Sequence, residues 1–129
     1  MKCYVTGRSS NYKDVEQTFV TLKELGHEIT FEWTALPMVK PYNEHPTEAA
    51  GFAEQGITGV VKADVYIMFA YEDGNGVFTE FGAALASNTS VGTPRIYVIG
   101  KEKQYSAMFY YHPAIEWFDS IEDVLEVLQ

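Results

Sequence analysis

An α/β fold built on a parallel sheet is predicted by three features of this 129-residue chain. Short strand-like runs alternate with longer stretches in which apolar residues recur at helical spacing. One run, Val65-Tyr66-Ile67-Met68-Phe69-Ala70, is apolar without a break, as a central parallel strand covered on both faces must be. Glycines close strand-like runs at Gly7 and Gly100, where the chain has to turn off a sheet.

Taken in order, Cys3-Tyr4-Val5-Thr6 reads as the first strand, and Arg8-Ser9-Ser10-Asn11 as a polar turn after Gly7. Val15, Phe19, Leu22 and Leu25 then recur at helical spacing, and Gly26 suits the position just past a helix C-terminus. Ile29-Thr30-Phe31-Glu32-Trp33 alternates and predicts a second strand. Residues 34–46 read as a long loop carrying Pro37, Pro41 and Pro46, and loops of that length in small domains are often functional. Thr47 predicts the N-cap of a helix from Glu48 to Lys62, weakened by Gly51, Gly56 and Gly59. Asp64 reads as structural, ending that helix or opening the central strand. The loop Tyr71-Glu72-Asp73-Gly74-Asn75-Gly76 follows, and the next helix is expected to begin near Thr79-Glu80 and end near Asn88. Arg95–Ile99 predicts a fourth strand and Ala114–Phe118 a short fifth. Ser120-Ile121-Glu122-Asp123 has the form of a capping box with Asp in place of Glu, opening a final helix with Ile121, Val124, Leu125 and Leu128.

Five strands at this length fit a single domain, residues 1–129, with the flavodoxin-like (Rossmann-like) order 2-1-3-4-5 and helices on both faces. In that order the chain reverses direction between its first and third strands, and ligands bind in the crevice beyond their C-terminal ends. Two loops therefore meet at the expected site: Gly7-Arg8-Ser9-Ser10, and Glu72 to Phe78.

Composition narrows the classes of function. Hydrophobic residues make up 47% and charged residues 21%, ordinary values for a folded chain rather than a disordered one. Nine Lys and Arg against eighteen Asp and Glu leave a net charge of −9, and the cations are scattered. That balance argues against polymeric nucleic acid and against anionic membranes, but not against a small anionic ligand held by local donors. The lone Cys3 forms no intrachain disulfide, and His27, His45 and His112 lack metal-ligand spacing, so no metal site is expected. No apolar run approaches the ~18 residues that a membrane span needs. The start of the chain runs directly into a strand pattern, and a cytoplasmic protein is the expectation.

Glu80 is the sharpest candidate for chemistry. Expected in the first turn of its helix, it faces the switch point, although the helix dipole alone would favour an acid there by about 0.3–1 kcal/mol. Gly74 and Gly76 allow a ligand close to the backbone, while Gly82, Ala83 and Ala84 keep the helix slim; tight helix–sheet packing explains them equally well. Tyr4 either packs in the core or reaches a carboxylate above the third strand. Arg8, beside Gly7, Ser9 and Ser10, either binds an anion with help from the next helix N-terminus or is a solvated charge.

These strings resemble a known family. Tyr4-Val5-Thr6-Gly7-Arg8 is similar to the opening of the nucleoside 2-deoxyribosyltransferase superfamily. Ala63-Asp64-Val65-Tyr66-Ile67, followed by Gly74-Asn75-Gly76-Val77-Phe78-Thr79-Glu80-Phe81-Gly82-Ala83-Ala84-Leu85-Ala86, is similar to its central signature. The superfamily includes deoxyribosyltransferases and the related deoxynucleoside 5′-monophosphate N-glycosidases. The resemblance runs from residue 3 to about residue 112. It implies cleavage or transfer of the N-glycosidic bond of a nucleoside or nucleoside 5′-monophosphate, without a cofactor. In such chemistry a carboxylate captures an oxocarbenium-like transition state as a covalent intermediate, which water or a second base then resolves.

By the same resemblance, Glu80 matches the nucleophile and Tyr4 the tyrosine that orients it. Gly7 and Arg8 fall where monophosphate-specific members hold phosphate, with a different arginine spacing, and Ser9 beside them is expected to help bind substrate. Asp73 lies one residue from the family's polar position before the nucleophile, and Gly74 and Gly76 shape that loop. Ser106-Ala107-Met108 is similar to the segment that reaches a neighbour's site in family dimers, so Ser106 and Met108 are expected to meet substrate. A homodimer or higher oligomer with residues 106–112 at its interface is implied, and the apolar run Phe109-Tyr110-Tyr111-His112-Pro113 suits a subunit contact. Trp33, Tyr42, Tyr71, Phe78, Phe109, Tyr110 and Tyr111 either stack on a base or pack the core and the interface. One position departs from the pattern: Gly56, in Glu54-Gln55-Gly56-Ile57, stands where the family has an aspartate that handles the leaving base. Glu54, Glu72 and Asp73 are substitutes that spacing does not separate. A nucleotide-binding or sensor protein without turnover is therefore the second reading. A flavodoxin-like electron carrier is a third, weakened by the lack of a Ser/Thr-rich phosphate cradle after the first strand.

Overall fold

The unbroken apolar run after Asp64 forms β3 (Val65–Phe69), every residue of it buried, at the middle of the sheet in a computed structural model that describes residues 1–129. β1 (Lys2–Thr6) and β4 (Arg95–Ile99) flank it, with β2 (Glu28–Ile29) and β5 (Ile115–Phe118) at the edges. All pairings are parallel and the order is β2-β1-β3-β4-β5, as the element pattern predicts. Four α-helices cover the sheet: α1 (Tyr12–Glu24), α2 (Pro46–Lys62), α3 (Asn75–Val91) and α4 (Ile121–Val127). None is long and apolar enough to cross a membrane.

Strand alternation divides the core into two layers. Cys3 and Val5 of β1 point with Val65, Ile67, Tyr97 and Ile99 toward α1 and α4, meeting Val15, Phe19, Leu22 and Val124. Burial there pushes the Cys3 thiol up to about 11, in keeping with a small apolar group. On the other face Tyr4, Tyr66, Met68, Ile96 and Val98 meet Val60 of α2, Phe81 and Leu85 of α3, and Tyr110. Asp64 has the structural role expected of it, its Oδ2 accepting from the Lys2 N–H at 2.8 Å where β1 begins.

Four boundaries differ from the sequence reading. The expected strand 29–33 shrinks to Glu28–Ile29. The Thr30 N–H still donates to Cys3 at 3.0 Å, but the next acceptor on β1, the Val5 carbonyl, is taken by the Trp33 indole Nε1 at 2.8 Å. A side chain replaces the backbone donor, and residues 33–35 curl into a 3₁₀ turn. α2 starts at Pro46 rather than behind a Thr47 cap, because proline at the first helical position has no N–H to leave unpaired. α3 starts at Asn75, earlier than expected, with Gly74 as its N-cap and no side-chain cap to mark the start. At its other end α3 continues to Val91, and the Asn88 amide donates to the Pro94 carbonyl at 3.0 Å instead of ending the helix. The start of α4 is as expected, with the Ser120 hydroxyl accepting from the Asp123 N–H at 3.3 Å.

Tyr66 is fully buried and lies between the rings of Tyr4 (centroids 5.9 Å apart, planes at 11°) and Phe81 (6.3 Å, 14°). Its hydroxyl has no hydrogen-bond partner in the protein. An unpaired buried hydroxyl costs about 1–3 kcal/mol. Tyr66→Phe keeps the ring stack and removes that cost, so urea unfolding should show stability unchanged or raised by about 1 kcal/mol or more; a loss would show that the hydroxyl is paired.

Candidate active site

The site begins with β1. Its alternation sends Tyr4 and Thr6 to the same face, and the ladder Tyr4↔Tyr66 and Thr6↔Met68 sets them beside β3. α3 follows β3 and brings Glu80 over the ends of both strands. Because α3 starts at Asn75, Glu80 lies in its second turn, not the first, where a helix dipole has little hold on it. Hydrogen bonds hold it instead. The Tyr4 hydroxyl donates to Glu80 Oε2 and the Thr6 hydroxyl to Oε1, the latter at 2.9 Å. Thr6, only 1% exposed, is the functional residue that sequence reasoning missed. The available signal was its place two residues after Tyr4, a polar group on the inward face of a strand that is otherwise apolar.

Glu80 is half-buried, and no cation pairs with it: the ion pairs are Arg8–Asp73, Lys23–Glu32 and Arg95–Glu116. Burial raises its carboxyl above the usual carboxylate range, and the bonds from Tyr4 and Thr6 pull it part of the way back. The Tyr4 phenol is pushed well up, by burial first and then by the Glu80 charge and the bond to it. It therefore keeps its proton and acts as a donor throughout the neutral range.

The expected binding loops meet at the same end of the sheet. Arg8 pairs with Asp73 and lies 4.7 Å over the centre of the Tyr71 ring. Gly74, at φ +136°, makes this possible, since a Cβ there would come 3.3 Å from Arg8 Cδ. Gly7 is buried at the strand end, Ser9 is exposed in a 3₁₀ turn, and Gly76 lies in the first turn of α3 with open space around it. Ser106 joins this loop from its own chain. Its hydroxyl and its N–H (3.0 Å) both donate to Glu72 Oε1, holding the Glu72 carboxyl below the usual range.

Of the possible substitutes for the missing aspartate, Glu72 is thus engaged by Ser106 and Asp73 by Arg8, while Glu54 is exposed on α2. Gly56 itself faces the site: a Cβ built there would lie 3.8 Å from the Tyr4 hydroxyl and 4.0 Å from Phe31 Cε2, an ordinary contact distance. Of the aromatic candidates, Tyr110 is fully buried, Phe78 packs on Phe81 and Tyr110, and Trp33 packs against both core layers. Tyr42 remains about half exposed. Met108, Phe109 and Tyr111 are exposed beside an apolar groove lined by Gly82, Leu85, Ala86 and Phe109. Helical periodicity puts Gly82 and Ala86 across α3 from Glu80, so this groove is separate from the carboxylate.

No family model matches the chain, and no curated protein matches it. Among solved structures it is similar to the Clostridium botulinum CMP N-glycosidase BcmB, with a TM-score of 0.65 at 15% sequence identity over 99% of this chain and 98% of that one. The two chains share their fold end to end.

Proposed function

We propose that this protein cleaves or transfers the N-glycosidic bond of a nucleoside or nucleoside 5′-monophosphate, with Glu80 as nucleophile. One observation carries the reading: both Glu80 oxygens are held by neutral hydroxyls, from Tyr4 and Thr6, with no cation to quench the charge. Such a carboxylate is oriented yet keeps its negative charge for the positive charge that develops on a sugar ring. A Glu80 oxygen attacks the anomeric carbon as the bond to the base breaks, and the base leaves with the electron pair. The resulting glycosyl ester is resolved by water or by a second base. Arg8 and Ser9, framed by Gly7, Gly74 and Gly76, would receive the 5′ end, Arg8 exchanging Asp73 for an incoming phosphate. Ser106 and Met108 belong to the 106–112 segment, whose exposed apolar groups suit a homodimer interface. The fold shared with a CMP N-glycosidase supports the substrate class.

Gly56 favours a second reading, a nucleotide-binding protein without turnover. No acid stands beside the Tyr4 hydroxyl at that position to protonate a departing base.

Chromatography of nucleosides and 5′-monophosphates, ribo and deoxy, incubated with and without a second free base, separates the two. Base release or exchange is expected, falling by on the order of 10³-fold or more in Glu80→Gln. Dependence on the added base would tell transfer from hydrolysis. No release, with one of these ligands still raising the melting temperature, would give the binding reading.

The titration of Glu80 has two signs to check. The nucleophile must be ionised, so activity should fall as pH drops through a midpoint above the usual carboxylate range. Tyr4→Phe removes a bond that favours the ionised form, so that limb should move to higher pH. For stability, a carboxyl raised on folding binds its proton more tightly in the native state, so its contribution is complete below the unfolded value and is lost as pH rises through the folded one. Melting curves should therefore show Glu80→Gln more stable than the parent at neutral pH, with the difference closing toward low pH.

A further inference from the structure

We propose that Gly59 is a positioning residue: the bare backbone of α2 at Gly59 and the ring of Tyr66 form the two walls of a slot that fixes the Tyr4 phenol on Glu80. The proposal deepens the glycosidase reading and rests on it for its kinetic consequences. A Cβ at residue 59 would lie 3.1 Å from Tyr4 Cδ2, Tyr4 Cε2 and Phe31 Cβ. Two of these atoms belong to a rigid ring and the third adjoins the backbone, so none is the free end of a flexible chain. The second wall is the Tyr66 ring, stacked on Tyr4 with centroids 5.9 Å apart and planes at 11°.

The helix cannot easily retreat from this contact. The Gly59 carbonyl accepts from the Thr30 hydroxyl at 2.8 Å, and the Thr30 N–H is bonded to Cys3 of β1 at 3.0 Å. Thr30 thus ties the helix to the strand that carries Tyr4. Glycine inside a helix is unfavourable relative to alanine. At Gly59, α2 therefore gives up helix stability where its backbone comes nearest the orienting phenol. Gly51, in the same helix, is exposed with nothing within 4 Å of its would-be Cβ, and so supplies an internal control.

The ionisable groups sensing Glu80 are the phenols of Tyr4 and Tyr66, from β1 and β3; α2 brings only Gly56 and Gly59 to the Tyr4 ring. The Glu80 carboxyl thus reports the Tyr4 bond directly. The experiment is a ¹³C-detected titration of Glu80 in the parent, Gly59→Ala, Gly51→Ala, Tyr4→Phe and Gly59→Ala/Tyr4→Phe, with kinetics on the best substrate of the panel. Gly59→Ala should raise the Glu80 midpoint by about one pH unit and lower kcat by about tenfold or more with KM little changed. The double variant should match Tyr4→Phe alone, because both act through one bond. Gly51→Ala should leave titration and kinetics unchanged. If Gly59→Ala does not fold, Tyr66→Leu opens the second wall without adding an atom near α2, and should raise the midpoint in the same direction.

A Gly59→Ala midpoint equal to that of the parent, or an effect that simply adds to Tyr4→Phe, overturns the proposal; so does an unmoved midpoint in Tyr66→Leu where that variant is used. The titration needs no turnover. A raised midpoint in a protein that releases no base would sustain the slot while the glycosidase reading falls. Turnover in the parent with an unmoved midpoint in Gly59→Ala would do the reverse.

Discussion

Glu80 brings a negative charge to the half-buried end of an apolar sheet, and no cation meets it there. Two hydroxyls from one strand hold that charge, and this requirement constrains much of the molecule. β1 must lie beside β3, so that the strand bearing the donors and the helix bearing the acid converge. Tyr4 and Thr6 must be two residues apart to share a face. α2 must approach closely enough to wall in the phenol. The sheet order, the strand period and the placement of glycine in α2 are thus three expressions of one electrostatic demand.

The two layers of the core differ in character. The layer toward α1 and α4 contains aliphatic residues, Cys3 and a few aromatics, and carries none of the groups assigned to chemistry. The layer toward α2 and α3 holds Tyr4, Tyr66, Phe81 and Tyr110 in a continuous row of rings. Flat rings transmit position better than flexible aliphatic chains, which suits a layer that has to fix a hydroxyl. The unpaired Tyr66 hydroxyl is the visible cost of building that layer from phenols.

Much of this was legible in the sequence wherever periodicity decides structure. The uninterrupted run at 65–70 and the alternation of strands with helices led to the sheet order, the capping serine at Ser120 to the start of α4, and the family resemblance, where alternation left two readings open, to Tyr4. Legibility failed where a side chain took over a backbone task. The Trp33 indole occupies the acceptor that would have extended β2, and nothing in the local pattern of residues 29–33 distinguishes an indole that bonds from one that only packs. The start of α3 was invisible for the opposite reason, because Gly74 caps it with no side chain at all. That error moved Glu80 from a dipole-stabilised first turn to a second turn where Tyr4 and Thr6 hold it. Thr6 was missed because a threonine in a strand is ordinary until its partner, 74 residues away in sequence, is known.

Tyr110 links the outer surface to the loop before α3. Its hydroxyl accepts from the Tyr71 N–H at 3.0 Å and donates to the Tyr71 carbonyl at 2.7 Å, holding both backbone polar groups of one residue. Ser106 holds the side chain of the neighbouring Glu72, donating to its Oε1 from both hydroxyl and N–H. The surface turn bearing Met108, Phe109 and Tyr111 is therefore tied by hydrogen bonds to the loop leading into α3. The helix that carries Glu80 thus leaves the sheet through a loop anchored at two consecutive residues, Tyr71 and Glu72, by a segment that follows β4.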